Sequence, residues 1–499
     1  MRALRAYCRR SAAAAGPATA LALLLCVAPV RAASLYLPAG DGSLRSDLTL
    51  LIDAGALDLS TNAWPLPRAD LQRALDGAQI EPDSPLAPVL ARVRRAAEGE
   101  ASGTFRTRLV LGRAGLLRDF DTPAREDGTA SLTAAFDGRF GSATLVAQGV
   151  TDPKDDHALR LDGSELTLQA GNWLLGVNLL DRWWGPGQQS SLILSNNARP
   201  IPAVMLDRAT SPAPGSRLLH WIGPFRFTTL FGQADGSRQD VNRPFFMGMR
   251  FEMRPSPWVD FAAQRTALFC GSGRQCDFGV VWKMLIGHDN VGINTSRATE
   301  PGDQLAGFDL RVKLPGSLPA ALYTQWIGED THHGFPVKYL GLFGAEAGHV
   351  TGSGTAVRGY VEYSDTTCNF NTWLGVQLMF NCAYTSSIYN VEGYRYYDRS
   401  IGHTADSDSR LWVAGMRGTR PQGGEWRAKI LAGSLNRGNA DPHNTVAPLA
   451  TQYRAAELGW RSDMFFGHVD LQLGVERLRP MGQGATDRAY GFVGWERGL

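Results

Sequence analysis

Long apolar runs are missing from most of this 499-residue chain. After residue 32, no stretch approaches the roughly 20 apolar residues that a membrane-spanning helix requires, which excludes such helices. Strong net charge is missing as well, because 50 Lys and Arg residues are balanced by 48 Asp and Glu residues, for a net charge of +2. So weak a field does not favour nucleic acid as a partner.

Catalytic motifs are also missing. There is no Gly-x-Ser-x-Gly elbow, no phosphate-binding loop and no zinc-protease helix. One group of titratable residues after the predicted strand Leu322–Trp326 resembles a hydrolase or metal site: Glu329, Asp330, His332 and His333. On a loop, these side chains are expected to be solvated instead. The sequence therefore predicts a protein that is not an enzyme and that has no cofactor or resident metal.

Cysteine is scarce, with six residues in the whole chain. Cys8 and Cys26 fall in the export signal described below. The other four form two local pairs inside loop-like stretches: Cys270 with Cys276, and Cys368 with Cys382. In an oxidising compartment this arrangement predicts two disulfides, although four cysteines allow three connectivities.

Residues 1–32 have the composition of a secretory signal peptide. The basic start contains four arginines: Arg2, Arg5, Arg9 and Arg10. The apolar stretch 18–30 follows and leads to a small-residue cleavage site after Ala32. A lipoprotein signal at Cys26 is disfavoured because the preceding Leu25 is too large. The chain is therefore expected to be exported and cleaved.

From about Thr104 onward, the chain repeats an alternation of apolar and polar residues. On 308–314, for example, Phe308, Leu310 and Val312 alternate with Asp309, Arg311 and Lys313, and 247–253 and 468–476 follow the same rule. Successive side chains of a strand point to opposite faces, so each stretch predicts a strand with one apolar and one polar side. About 400 residues at about 22 per strand and connection predict 16 to 18 strands. The clearest are Phe105–Leu111, Ala143–Gly149, Leu166–Ala170, Phe225–Phe231, Val259–Arg265, Val357–Tyr363 and Trp426–Ala432.

Aromatic residues cluster where these strands begin or end: Phe245, Phe246, Trp258, Trp426, Trp460, Phe465 and Phe466. An outer-membrane β-barrel has such a girdle at each lipid interface. A secreted sandwich or a propeller shows the same alternation, since any half-buried sheet does. The pattern alone leaves these alternatives open.

The segment 33–99 differs from the predicted barrel, 100–499, because its apolar residues have helical spacing. Leu44, Leu48, Leu51 and Ile52 follow Asp41 and Ser43, either of which can cap a helix. A second helix is predicted from Pro67 towards Leu75, and a third after Ser84. Three short helices bury little surface alone, so this bundle is expected to dock on something larger.

Five motifs of the exported chain are long enough to compare with known families. They lie in 44–48, 60–65, 181–202, 287–309 and 388–403, the last preceded by 363–366. Together they resemble the Wzi family of outer-membrane capsule-assembly proteins. The resemblance implies a mainly β fold: an antiparallel barrel of 18 strands, closed at its periplasmic side by the helical bundle. It also implies a lectin-like role in holding polysaccharide. The stretch Cys368–Cys382 departs from the family as an enlarged, bridged loop, so the identity of the glycan does not carry over.

The motif 181–202 contains the first candidates for carbohydrate binding. Trp183 and Trp184 offer flat indole faces to sugar rings, and Gln188 and Gln189 offer hydrogen bonds to hydroxyls. Alternatively, the tryptophans anchor a strand end at the membrane interface or pack within a turn.

Polar loops supply the other candidates. His288, Asp289 and Asn290 begin an oxygen-rich loop that continues to Asn294, Glu300 and Asp303. This loop either contacts glycan hydroxyls or holds its own turns. Its spacing does not fit a calcium site. Tyr389, Tyr394, Tyr396 and Tyr397 lie in a polar stretch that resembles adaptable binding loops.

The sequence thus predicts a non-enzymatic outer-membrane barrel that attaches or organises polysaccharide at the cell surface. The expected partners are capsular or extracellular polysaccharide, outer-membrane lipid and other components of capsule export and assembly. The protein itself is expected to be a monomer. The alternatives are a diffusion porin with an open polar lumen and an outer-membrane hydrolase.

Overall fold

A closed antiparallel β-barrel of 18 strands dominates the structure. The computed structural model describes residues 34–98, 105–285, 302–332, 335–386, 388–389, 391–439 and 441–498, so the predicted signal peptide lies outside it. The strands are β1 (Phe105–Arg113), β2 (Gly128–Gly138), β3 (Gly141–Thr151), β4 (Glu165–Ala170), β5 (Trp173–Asn178), β6 (Ala203–Arg208), β7 (Phe225–Gln233), β8 (Phe245–Ser256), β9 (Val259–Phe269), β10 (Gly302–Lys313), β11 (Ala320–His332), β12 (Phe335–Val350), β13 (Ala356–Asp365), β14 (Arg410–Thr419), β15 (Glu425–Leu435), β16 (Thr451–Met464), β17 (Gly467–Pro480) and β18 (Thr486–Gly498). Each strand pairs with its neighbours in the chain, and β18 pairs with β1. The predicted fold class is confirmed.

Side chains of the strands alternate between the two surfaces of the barrel, as predicted. On β10, Asp309 and Arg311 face the lumen and are 0% and 3% exposed. On β17, Leu473 and Val475 face outward and are 70% and 60% exposed. Charged side chains are therefore buried and large apolar ones exposed, the reverse of a water-soluble protein. Such an outer surface requires lipid around it, which excludes the sandwich and the propeller.

Buried charges in the lumen neutralise one another between nearby strands. Arg250 of β8 lies 2.6 Å from Asp309 of β10 and 2.8 Å from Glu252 on its own strand. It also donates to Oε1 of Gln264 at 2.5 Å. An unpaired buried charge is costly, so this pairing is what permits Arg and Asp to line the lumen. This part of the inner wall is consequently built from mutually satisfied groups.

The two ends of the barrel differ in the length of their connections. One end has short turns at 139–140, 171–172, 257–258 and 465–466, whereas the other has long loops at 114–127, 179–202 and 366–409. In outer-membrane barrels the short turns face the periplasm and the long loops face the exterior. We therefore name the two ends periplasmic and extracellular.

Exposed aromatic residues occur at the periplasmic turns, where a girdle was predicted. Trp258, Phe465 and Phe466 are 50%, 73% and 88% exposed. Phe246 differs from the prediction because it is 0% exposed on the inner face of β8, where its ring lies 6.3 Å from that of Tyr394. Phe246 directly follows the outward-facing Phe245. Because successive side chains of a strand point to opposite faces, Phe246 points into the lumen.

Three helices occupy the periplasmic end of the lumen: α1 (Gly42–Asp53), α2 (Arg68–Asp76) and α3 (Ala87–Glu98). Asp41 caps α1 by accepting the N–H groups of Ser43 and Leu44. Apolar residues of α1 and α3 share one core, which includes Leu48 and Val93. None of the helices among the described residues is long and apolar enough to cross a membrane.

Inner-wall residues fasten the end of α1 to the barrel. Arg311 of β10 lies 2.7 Å from both carboxylate oxygens of Asp53. Lys313 donates to the carbonyl oxygen of Ile52 at 3.1 Å. The barrel therefore supplies the larger partner that three short helices need.

Candidate functional site

Long extracellular loops fill the lumen above the helices. In loop 179–202, the short strand Trp183–Trp184 pairs with Ala63–Trp64, and the N–H of Leu192 donates to Oε1 of Gln325 on the inner wall at 2.7 Å. Loop 366–409, which we call the lid, covers this segment. The hydroxyl of Tyr384 in the lid donates to the carbonyl oxygen of Leu192 at 2.7 Å. Helices, loop 179–202 and lid are thus stacked along the barrel axis.

Trp183 and Trp184 lie at the centre of this stack, 1% and 2% exposed. The ring of Trp183 packs edge-on against Phe120, with centroids 5.2 Å apart. The guanidinium carbon of Arg45 lies 4.5 Å from the Phe120 centroid and 5.4 Å from the Trp183 centroid. Because neither indole presents a face to solvent, the structure favours the packed-turn alternative over sugar stacking for this pair. Their position inside the lumen also excludes a role as membrane anchors.

Gln188 ties the following turn to the inner wall. Its N–H donates to Oε2 of Glu362 at 2.6 Å, and its side-chain amide donates to Oε2 of Glu346 at 3.0 Å. The N–H of Gln189 donates to the other carboxylate oxygen of Glu362 at 3.1 Å. Gln188 therefore lies within the lumen and positions loop 179–202.

The tyrosine-rich stretch of the lid divides into buried and surface residues. Tyr394 is 0% exposed, and its hydroxyl oxygen lies 2.9 Å from the carbonyl oxygen of Ile193 and 2.6 Å from Oγ1 of Thr266. The hydroxyl of Tyr389 donates to the carbonyl oxygen of Cys270 at 3.0 Å. Burial raises the pKa of Tyr394 well above its ordinary value, so its hydroxyl stays protonated. These tyrosines fasten the lid to the barrel, and the structure does not place Tyr394 where a polymer would meet it.

Tyr397 is the member of this stretch that reaches the extracellular surface. The strands Arg395–Tyr396 and Arg399–Ser400 form a hairpin, and its tip residues Tyr397 and Asp398 have φ angles of 47° and 56°. Positive φ at both central residues is typical of a type I′ turn and costs about 1–3 kcal/mol at each non-glycine residue. Tyr396, 5% exposed, supports the tip with its ring centroid 4.5 Å from that of Tyr397. The hairpin therefore holds the half-buried Tyr397 ring at the surface.

Polar groups from two other loops surround the Tyr397 ring. The guanidinium carbon of Arg199 lies 5.1 Å from the ring centroid, and the imidazole of His157 lies edge-on at 5.1 Å. Asp155 and Asp162 bind Arg199 at 2.6 Å and 2.8 Å. We define Tyr397, His157, Arg199 and Asp155 as the Tyr397 site.

Asp155 is kept ionised by its neighbours. Burial alone would raise its pKa, but hydrogen bonds from Arg199 and Arg160 outweigh this effect and hold the pKa below its ordinary value. Arg160 lies 2.7 Å from Asp155. The Tyr397 site thus combines a partly exposed aromatic ring with fixed hydrogen-bonding groups, the two kinds of contact that a sugar ring and its hydroxyls can use.

Several residues of the Tyr397 site were not among the sequence candidates. Arg199 lies within the motif 181–202, but no feature of the sequence marked it as a binding residue. His157 and Asp155 lie in an ordinary polar loop, and only the fold brings them to the lid. The predicted candidates His288, Asp289 and Asn290 lie outside the described residues, as do Asn294 and Glu300. In the part of the chain that the structure describes, no cluster of His, Cys, Asp and Glu has the arrangement of a metal site.

A charged cavity of about 50 Å³ lies deeper in the lumen. It is lined by residues of α1, loop 114–127 and the inner wall, including Arg45, Asp119, Asp121, Arg417 and Lys429. Arg417 pairs with Asp121, and Lys429 pairs with Asp119. Burial alone would raise the pKa of Asp121, but Arg417 holds it well below its ordinary range. A cavity of this size admits a water molecule or two but no sugar ring.

Comparisons with known proteins agree with this architecture. The family model described as capsule assembly protein Wzi matches residues 100–488. The chain belongs to the Wzi family. A relative in Klebsiella pneumoniae, described as an uncharacterized 55.8 kDa protein in the cps region, is 28% identical over 430 residues, which cover 85% of this chain and 82% of the relative.

Solved structures show the same relationship. Wzi of Escherichia coli, described as an outer membrane protein involved in group 1 capsule assembly and a carbohydrate-binding β-barrel, matches with a TM-score of 0.81 and 25% identity. The match covers 93% of this chain and 99% of that chain. The match to OccK3 (OpdO) of Pseudomonas aeruginosa covers 80% of this chain and 96% of that chain, at 14% identity. Its TM-score of 0.42 is too low to bear on function. This Wzi-family chain is accordingly an outer-membrane protein.

Both predicted disulfides of this Wzi-family chain are present. Cys270 pairs with Cys276, and Cys368 pairs with Cys382. Each bridge closes a segment at the extracellular end of the barrel. The Cys368–Cys382 bridge lies within the lid.

Asp408 gives the lid a pH-sensitive contact. Its Oδ2 accepts the N–H of Asn381 at 2.7 Å, and its Oδ1 is buried without a hydrogen-bond partner. Burial is the main cause that raises its pKa from 3.8 to about 7; Asp441 and Asp365 add to this effect, and Arg437 opposes it. The closed lid therefore favours the protonated carboxyl group.

We expect the lid to open more easily as pH rises. The stabilisation from protonated Asp408 is complete below the ordinary pKa of 3.8 and is lost as pH rises to about 7. The opening equilibrium should increase by up to about tenfold per pH unit in this range. Limited proteolysis of the lid, measured as the wild-type rate divided by the Asp408→Asn rate at each pH, tests this. Asp398→Asn at the exposed hairpin tip is the control. A ratio that stays constant with pH would contradict the expectation.

Proposed function

We propose that this protein binds polysaccharide at the cell surface through its extracellular loops, with the Tyr397 site as a principal contact. The observation that carries the proposal is a hairpin tip, strained at Tyr397 and Asp398, that presents an aromatic ring between His157 and Arg199 at the outer surface of a filled barrel. Membership of a capsule-assembly family and the carbohydrate binding described for Escherichia coli Wzi support it.

Retention by this mechanism depends on many weak contacts. A polysaccharide repeats the same sugar unit, so one polymer engages many copies of the protein, and each further contact is effectively intramolecular. Low affinity at each site is then sufficient for firm attachment. We propose that each barrel acts as a monomer and that other capsule export and assembly components deliver the polymer.

The contacts within the lumen argue against the porin alternative. Loop 179–202 is bonded to the inner wall at Gln325 and Glu362. The lid is in turn bonded to that loop through Tyr384 and Tyr394. Polar inner-wall groups thus bind the loops, whereas a porin leaves them to line a water-filled channel.

We also propose that the protein is not an enzyme. The carboxylates of the Tyr397 region, Asp155 and Asp162, are both held by Arg199. An ionised carboxylate paired with arginine is a poor general acid, because a catalytic acid needs a pKa near the working pH. Such a site can position a sugar by contact, but it is not suited to transfer a proton to the sugar.

Loss of the gene in the source organism is expected to shift polysaccharide from the cell-attached to the released fraction. The amounts in washed cells and in culture supernatant, compared with a complemented strain, measure the shift. Total polysaccharide should stay unchanged, since the proposal concerns attachment and not synthesis. Fully cell-attached polysaccharide in the deletion strain would refute the proposal.

A further inference from the structure

Two segments associated with the disulfides lie against the outer surface of the barrel instead of its lumen. We call residues 368–382 the bridged loop. The helix α4 (Phe278–Leu285) follows the other bridge, Cys270–Cys276. Each segment covers part of the wall near the extracellular end. Neither takes part in the Tyr397 site.

The bridged loop packs on outward-facing aromatic residues of β11 and β12. The ring of Phe370 lies 4.9 Å from Trp326 and 5.7 Å from Phe343. Gly341 is the residue beneath it, and a Cβ there would lie 2.3 Å from the Phe370 ring. Only glycine therefore permits this close approach. Because Gly341 has no side chain, Phe370 of the loop can pack directly against the wall.

Beyond this contact, the bridged loop presents apolar side chains outward. Trp373 and Leu374 are each 64% exposed, and Val376, Leu378, Met379 and Phe380 are 36–42% exposed. No charged residue occurs between Cys368 and Cys382. A water-facing loop of this composition would be unfavourable, because each exposed apolar side chain costs about 1.5–3 kcal/mol relative to burial.

Helix α4 repeats the arrangement on the neighbouring strands. Met284, 0% exposed, packs with Met247 of β8 and Ala267 of β9 in one cluster. On the opposite side of the helix, Phe278 and Trp282 stack at 6.2 Å and are 80% and 51% exposed. The helix thus buries one apolar face on the wall and leaves a second apolar face uncovered.

We propose that the bridged loop and helix α4 lie in the outer leaflet of the membrane, with Trp373, Leu374 and Trp282 inserted among lipid acyl chains. Lipid is the partner we infer, because the loop is continuous with the lipid-facing wall. The Trp373 ring lies 6.2 Å from Trp326, which itself stacks at 6.3 Å on Phe308 of β10. Through Trp373, the loop extends this aromatic surface beyond the strands. Aromatic residues at that depth are typical of the membrane interface.

The consequence is an anchor that fixes the lid relative to the membrane. The bridged loop is part of the lid, and its base at Asn381 bonds to Asp408 in the lid interior. The Cys368–Cys382 disulfide limits the conformations of the bridged loop, so the apolar side chains of this loop remain on the wall. Lipid contact on the outside is therefore coupled to the loop that carries Tyr397.

Photo-crosslinking in the outer membrane of intact cells tests the proposal. A benzoylphenylalanine replaces Trp373 in the full-length protein, and adducts are identified by mass after irradiation. The same residue at Leu473, on the exposed outer wall, is the positive control, and at Asp398, on the hairpin tip, the negative control. We expect lipid adducts at 373 in a yield comparable with that at 473, and none at 398.

Every other outcome overturns the proposal. A dimer of this chain, an adduct with another protein or an adduct with polysaccharide would identify a different occupant. Absence of lipid adducts at 373, with adducts present at 473, would place the loop outside the membrane. If the Trp373 variant lacks the heat-dependent gel migration of a folded barrel, the probe is placed at Leu374 and the same criteria apply.

Discussion

The intact protein is expected to form no steady ion channel in a planar lipid bilayer. Its lumen is occupied at three levels, by the helices, by loop 179–202 and by the lid. Deletion of residues 41–98 alone is expected to leave the barrel closed, because loop 179–202 keeps its own bonds to Gln325 and Glu362. Removal of the helices together with replacement of 181–201 and 370–407 by short Gly-Ser linkers should open large, steady channels. Cleared barrels of about 16–18 strands conduct water and ions.

Single-channel recordings of the three proteins provide the measurement. The comparison also identifies which layer is the barrier. Channels from the intact protein would contradict the filled lumen and favour the porin alternative. Channels from the protein that lacks only 41–98 would show that the helices are the principal barrier. A folded barrel that stays closed after all three segments are removed would contradict the assignment of these segments as the plug.

Tyr397→Ala is expected to weaken polysaccharide binding about fivefold to tenfold at a single site. This estimate corresponds to loss of one aromatic contact worth about 1 kcal/mol. On a long polymer the loss should be larger, since each weakened contact lowers the effective affinity of the others. Co-sedimentation of the purified protein in vesicles with the cell's own polysaccharide measures the effect, and short fragments of the same polymer give the single-site value.

Two variants control this experiment. Tyr397→Phe keeps the ring and should retain most of the affinity. Phe466→Ala removes an aromatic ring of comparable size from a periplasmic turn and should leave binding unchanged. Equal binding by wild type and Tyr397→Ala would move the glycan contact away from the Tyr397 site, without affecting the closed barrel. If Tyr397→Phe weakened binding as much as Tyr397→Ala, the effect would belong to the hydroxyl group instead of the ring.

The faces of the strands were predictable from local sequence. On β10 and β17 the alternation separates lumen from lipid correctly, because the two-residue period of a strand is set by backbone geometry alone. Both disulfides were also predictable, since each joins cysteines that are close in the chain. The caps and spacing of α1 follow the same local rules, with Asp41 at the predicted position.

The candidate site was only partly predictable. Trp183, Trp184 and Tyr394 are aromatic residues in polar surroundings, and that local property is shared by sugar-binding and packed residues. Their burial depends on Phe120, Arg45 and Thr266, which are distant in the chain. Conversely, His157 and Arg199 gain a role only because the hairpin places Tyr397 between them. No local sequence pattern predicts a contact between residues that lie so far apart in the chain.

The sequence by itself determined an exported chain of alternating strands with two local disulfides, because periodicity, composition and short cysteine spacing act within a few residues. Only the tertiary structure decided that the lumen is filled, which tyrosine reaches the surface and which loops turn outward onto the wall. The first two outcomes rest on contacts between segments separated by a hundred residues or more, such as Gln188 with Glu362 and Tyr394 with Ile193. The outward loops rest on contacts closer in the chain, such as Phe370 with Trp326. Loop placement depends on the partners that the closed barrel brings within reach, and barrel closure is a property of the whole chain.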